Sequence, residues 1–153
     1  MRDPSSGPFG VAGIVLVLLL KYAGLSNIPE EIIYPTLLFM PVVSRWAMVY
    51  ALFAFRYARP QGLGTAFKNA TRWPQFTVAT LFTLAIAAAL FPLFSFVGFI
   101  LIGGIWVITT LLAFYLKSKF AGLTGDTYGA INEVSETMAL VMVIGVWTTV
   151  SFE

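Results

Sequence analysis

From Trp73 to Leu116 the chain carries no charged residue, and that stretch is long enough to cross a bilayer twice. A hydrocarbon core of about 30 Å needs roughly 20 apolar residues in a helix. Inside it every backbone N–H and C=O must find a partner within the protein. The chain therefore has few options besides a bundle of membrane helices. The remaining composition agrees: 59% of its 153 residues are hydrophobic and 10% charged, against roughly a quarter charged in soluble domains.

The hydropathy pattern predicts five spans. They run from Phe9 to Leu25, Glu31 to Phe55, Pro74 to Phe91, Pro92 to Leu116 and Gly129 to Phe152. The fold class expected is an all-α polytopic membrane bundle forming a single domain over residues 1–153. Lys21, near the end of the first span, is expected to snorkel to the interface. Pro35 and Pro41 predict a second span that is kinked or partly re-entrant. Gly98, Gly103 and Gly104 allow close helix packing in the fourth. Trp46, Trp73, Tyr115 and Trp147 lie where an interfacial aromatic belt would sit. No signal peptide, internal repeat or low-complexity tract is evident.

The distribution of charge predicts orientation. Arg56, Arg59, Lys68 and Arg72 crowd the loop after the second span, and Lys117 and Lys119 follow the fourth. The positive-inside rule places both segments in the cytoplasm, together with the N-terminus.

The chain has neither Cys nor His. Disulfides, thiolate metal sites and imidazole acid–base chemistry are thereby excluded. Any chemistry must use carboxylates, Arg, Lys, hydroxyls and the backbone. Of the seven acidic residues, Asp126, Glu133 and Glu136 fall within one short segment at the mouth of the last span. On a helix starting near Asp126 or Thr127 they would share a stripe with Gly129 and Ala130. Two readings stand. Hard oxygen donors on one face suit Mg²⁺. Alternatively, Asp126 caps the helix, and Glu133 and Glu136 are solvated charges favoured by the helix dipole.

Two other features bear on binding. Arg56-Tyr-Ala-Arg-Pro-Gln-Gly-Leu-Gly64 combines Arg59 with Gly62 and Gly64, a mixture suited to anions; composition alone favours a basic loop that only sets topology or contacts lipid head groups. Arg45 lies inside the second span, where an Arg is expected to face the bundle interior or a wet cavity. A structural ion pair and a substrate contact are equally open there.

Three segments together resemble the cobalamin synthase family, the adenosylcobinamide-GDP ribazoletransferases. They are Met1-Arg-Asp3 with Gly7 and Phe9-Gly10, then Ser44-Arg45-Trp-Ala-Met48 through Tyr57-Ala-Arg-Pro-Gln-Gly-Leu-Gly64, and Gly122-Leu-Thr-Gly-Asp126 to Asn132-Glu133 and Glu136. The resemblance implies a Mg²⁺-dependent enzyme of the cell inner membrane whose site faces the cytoplasm. It would join α-ribazole or its phosphate to adenosylcobinamide-GDP and release GMP. It implies Asp126, Glu133 and Glu136 as catalytic and metal-binding residues, and Arg45, Arg59, Gly62, Gly64 and Asp3 as substrate-binding ones. The partners implied are corrinoid and nucleotide-like substrates and the lipid bilayer, with no nucleic acid. Such enzymes begin about a hundred residues earlier with an acidic motif, Asp-Gly-x-x-Asp-x-x-Asp-Gly, that has no counterpart here. The chain thus reads as the C-terminal part, completed by a missing N-terminal segment or by a homo-oligomer. A non-catalytic membrane subunit, an inactive fragment and a small transporter module are the alternative readings.

Overall fold

Glu30 and Glu31 open the helix around which the others assemble, and their charges complement its N-terminal dipole. The computed structural model describes residues 8–58, 63–120 and 122–150. In chain order the helices are α1 (Pro8–Ser26), α2 (Glu30–Ala54), α3 (Leu63–Ala70), α4 (Trp73–Ala89), α5 (Phe91–Phe94), α6 (Val97–Phe120) and α7 (Gly125–Val150). No strand occurs among the described residues, and the chain is an all-α bundle.

Helix α2 is the hub. It packs most extensively on α7 and also meets α4, α6, α5 and α3, whereas α1 lies against α7. Pro35 and Pro41 do not make α2 re-entrant: the helix runs unbroken through both. Each Pro lacks the N–H that would close a turn, and the Ser44 hydroxyl donates to the Pro41 carbonyl at 3.0 Å. The buried face of α2, with Ile32, Phe39, Val43 and Ala47, meets Phe94, Leu101, Ile105, Leu140 and Val143. A second cluster, nearer the end of α2, joins Ala51, Leu52 and Phe55 to Ala113, Leu123, Tyr128 and Ile131.

In a bilayer, lipid is as apolar as Leu, so helices associate through close contact and polar pairing. Both are present. A Cβ added at Gly98 would sit 3.3 Å from that of Ala87, so α6 and α4 approach closely there. Gly104 gives room to Met142 of α7, whereas Gly103 faces open space. Trp46 Nε1 donates to Thr80 Oγ1 at 3.0 Å, Tyr50 and Thr110 share a hydrogen bond of 3.0 Å, and buried Thr109 and Ser135 lie 3.3 Å apart. These pairs link α2 to α4, α2 to α6 and α6 to α7. Trp46 is therefore not part of an interfacial belt: only 6% of it is exposed. Trp73 and Tyr115 are exposed, as a belt requires.

Five long helices form, but their lengths differ from the expected spans. Among the described residues, three are long and apolar enough to cross a membrane, Glu30–Ala54, Val97–Lys119 and Gly125–Thr148. Gly10–Ser26 and Trp73–Ala89 are apolar but shorter. The fourth span does not begin at Pro92. Pro92 lies in the single turn of α5, and α6 begins at Val97 after Ser95 takes a positive φ of 48°. The turn is anchored by Phe94, which is buried edge-on against Phe39 with ring centroids 6.4 Å apart. The last helix starts at Gly125 rather than Gly129.

Candidate functional site

The two most distinctive sequence segments meet at one end of the bundle. The strand-like residues after α2 pair with those before α7 through a parallel bridge between Tyr57 and Leu123. The Ala58 N–H donates to the Leu123 carbonyl at 2.8 Å, and the Leu123 N–H to the Arg56 carbonyl at 3.0 Å. This contact places the basic loop and the start of α7 on the same side, as the charge pattern predicts.

Gly122 makes the contact feasible. Its φ is +151°, in the region that residues with a Cβ rarely adopt. A Cβ there would lie 2.8 Å from the backbone N and Cα of Ala58. Gly64 plays a related part, because a Cβ on it would fall within the phenol of Tyr57. The Tyr57 ring also stacks on Tyr128, with centroids 6.2 Å apart and planes 6° from parallel.

Helix α7 is capped by Thr124, not by Asp126. Thr124 N–H donates to Thr127 Oγ1 at 2.7 Å, and the Thr127 N–H reaches back to Thr124 Oγ1 at 3.4 Å. Two threonines thus share the reciprocal arrangement of a capping box. Asp126 is left exposed in the first turn, where a negative charge is favoured by the dipole, and forms no salt bridge among the described residues.

Beside it lies a cleft of about 330 Å³, lined by Met48, Leu52, Gly64, Phe67, Gly125, Tyr128 and Gly129. A Cβ at Gly125 or Gly129 would meet nothing within 4 Å, so this edge of α7 is open to an approaching group. Tyr128 and Asn132, one turn apart, are each 5% exposed, and the Tyr128 hydroxyl and Asn132 Oδ1 have no hydrogen-bond partner among the described residues.

The expected stripe forms on α7: Asp126, Gly129, Ala130 and Glu133 are exposed and Glu136 half-buried. Its acids are not held as one group. Glu133 lies about 10 Å further along the axis from Asp126, at about 1.5 Å per residue. No cluster of three His, Cys, Asp or Glu suited to a metal occurs among the described residues. Lys21 does not snorkel. Its ammonium reaches Glu133 Oε2 at 2.8 Å and Glu136 Oε2 at 2.6 Å. Its position is a signal in itself, since a Lys in an apolar helix that does not reach the interface takes a polar or anionic partner.

Arg45 does not face the bundle interior. It is exposed, lining a cleft of about 340 Å³ with Pro41, Val42, Trp46, Val49, Ala79, Phe82 and Thr83. None of these lines the cleft at Gly64. Asp3, Arg59 and Gly62 lie outside the described residues. Lys68 serves the fold: its ammonium donates to the carbonyls of Leu52 and Phe53, the latter at 2.9 Å. It therefore satisfies the C-terminal carbonyls of α2, and burial lowers its pKa.

As a Mg²⁺ ligand Asp126 fits in chemistry and access. This ion keeps several waters and commonly takes only one or two carboxylates beside substrate phosphates. Glu133 and Glu136 already share a cation.

An all-α bundle with three bilayer-length helices and a glycine-lined cleft at the end bearing its motifs is a multi-pass membrane protein. The chain belongs to the cobalamin-5-phosphate synthase family, whose sequence profile matches residues 1–144. It is 35% identical over 145 residues to an adenosylcobinamide-GDP ribazoletransferase of Desulforamulus reducens, covering 94% of this chain and 57% of that protein. Another of that name, from Roseiflexus sp. (strain RS-1), is 37% identical over 140 residues, covering 92% and 51%. One from Pseudomonas putida is 35% identical over 156 residues, covering 95% and 56%. The chain thus spans a little over half the length of the relatives it matches. No solved structure matches it.

Proposed function

We propose that this chain contributes to a membrane phosphotransferase that joins α-ribazole, or its phosphate, to adenosylcobinamide-GDP. The membership of residues 1–144 in the cobalamin-5-phosphate synthase family carries this reading. The pairing of Tyr57 with Leu123, and the cleft that Gly64 shares with Gly125, Tyr128 and Gly129, support it. An oxygen of the ribazole partner attacks the phosphorus nearer the cobinamide. A new P–O bond forms, the pyrophosphate P–O bond breaks, and GMP leaves with the electron pair. The proton of an attacking hydroxyl passes to a carboxylate acting as general base.

Such a transfer depends mainly on positioning and charge neutralisation. The cleft would take the phosphate-bearing end, because Gly125 and Gly129 let it approach the first turn of α7. The Tyr128 hydroxyl and Asn132 Oδ1 offer unused hydrogen-bonding capacity beside it. Mg²⁺, when bound, would neutralise charge on the phosphate oxygens, and Asp126 is the residue that would hold it. Arg59, Gly62 and Asp3 remain candidates for substrate contact on sequence grounds. In this reading the site faces the cytoplasm from the inner membrane.

The test measures adenosylcobalamin formed from adenosylcobinamide-GDP and α-ribazole. It uses membranes carrying the chain together with the portion of a relative that the match leaves uncovered. Asp126→Asn should lower the rate at least about 100-fold, the loss of several kcal/mol of transition-state stabilisation. Its membrane insertion should be unchanged. Near-normal turnover by that variant would remove Asp126 from the reaction and return it to a surface charge at a helix start.

A further inference from the structure

We infer that Lys21 is a positioning residue: it takes the place of a metal between Glu133 and Glu136 and clamps α1 onto α7. This goes beyond the phosphotransfer reading and does not depend on it.

Three observations converge. First, the ammonium sits within hydrogen-bonding distance of both carboxylates, 2.8 Å from Glu133 and 2.6 Å from Glu136. Second, Lys21 and Glu136 are largely shielded, with side chains 18% and 16% exposed, while Glu133 closes the group from the open side at 53%. Charges so placed along apolar helices are costly unless paired. Third, α1 has little else to hold it. Val11, Ile14, Leu16, Leu18 and Leu20 are all more than half exposed, and such residues gain nothing from leaving lipid for another helix. Close packing on α7 comes near the end of α1, where the backbone of Gly24 lies against the side chain of Leu140 and Leu25 packs on the core.

The residue spacing fits the role. Glu133 and Glu136 are three apart on α7 and so lie on one face, and one ammonium with three donors can bond both. The consequence for the site is direct. With Lys21 in place, the two glutamates have a partner that needs no divalent ion, and Asp126, about 10 Å away along α7, stands apart from them. The clamp would fix α1 in register along α7, so that the groove lined by Gly10, Gly13, Val17, Ala130 and Glu133 keeps its shape.

The natural absence of Cys makes a direct test available. Gly24→Cys and Leu140→Cys together place two thiols at the α1–α7 contact, the second substitution removing the side chain the first would strike. Oxidative cross-linking in intact membranes then reads helix register without any enzyme assay. In this background Lys21→Met should reduce cross-linking several-fold. Lys21→Arg should keep it near the starting level. The exchange Lys21→Glu with Glu136→Lys should recover most of what Lys21→Glu alone loses. Cross-linking should be the same in EDTA and in millimolar Mg²⁺. Undiminished cross-linking in Lys21→Met would overturn the clamp. So would a yield that falls in EDTA, because a divalent ion would then be holding the glutamates.

Discussion

Two backbone positions show how single residues decide the shape of this end of the bundle and of its opposite turn. At Gly122 both the positive φ and the proximity of Ala58 exclude a side chain. Gly122→Ala should destabilise the protein by about 1–3 kcal/mol, the usual cost of such backbone strain. Thermal unfolding in detergent, followed by circular dichroism, would register it as a lowered midpoint; an unchanged midpoint would show that the Tyr57–Leu123 bridge yields without cost. Ser95 presents the opposite case. Its φ of 48° with ψ of −138° is a conformation suited to Gly. Ser95→Gly should raise the same midpoint by an amount corresponding to about 1 kcal/mol, and a lowered midpoint would mean that the hydroxyl contributes more than the strain it tolerates.

Among the elements, α3 has the least core of its own and depends on what it caps. It is eight residues long, shorter than helices that persist alone in water. Lys68 ties it to the end of α2 by donating to two carbonyls that no further turn of helix can satisfy. Lys68→Met should therefore cost about 1 kcal/mol, within the range for a hydrogen bond to a charged group after allowance for solvent. The same residue leaves a signature in pH. Burial lowers its pKa in the folded state from the ordinary 10.5. The folded protein then binds fewer protons than the unfolded chain just below that value, so stability contributed at this site rises with pH there. Lys68→Met should flatten that rise in a stability profile from pH 8 upward, and a profile indistinguishable from that of the parent would assign the slope to other groups.

The molecule as a whole is held by α2, which touches nearly every other element, while α1 lies at its margin. The bridge between Tyr57 and Leu123 puts the loop after α2 and the loop before α7 at one end. Both are basic in their surroundings, so the positive-inside rule orients that end to the cytoplasm. Single Cys residues at Asn69 and Ser118, both exposed, should resist a membrane-impermeant thiol reagent in intact cells and react after permeabilisation. Labelling of one before permeabilisation and not the other would contradict the shared end; early labelling of both would reverse the orientation.

Sequence alone was enough for the class of fold, the approximate location of the long helices, the shared side of the two basic segments and the family. These follow from hydropathy, charge and local motif, which act over a few turns and need no knowledge of neighbours. It also placed Asp126, Gly129, Ala130 and Glu133 on one face of α7, because helical periodicity is itself local. What only the tertiary structure decided is which groups meet. Lys21 and Glu136 are 115 residues apart in the chain yet 2.6 Å apart in space, so a cation that reads as interfacial becomes the partner of two expected metal ligands. Trp46 reads as a belt residue but finds Thr80 inside the bundle. Arg45 reads as facing either the bundle interior or a cavity, and only the packing of α2 against α4, α6 and α7 decides between them, leaving it on an open cleft. Pro35 and Pro41 signal a kinked or partly re-entrant segment, yet α2 stays one helix because tertiary packing on several sides outweighs two missing hydrogen bonds.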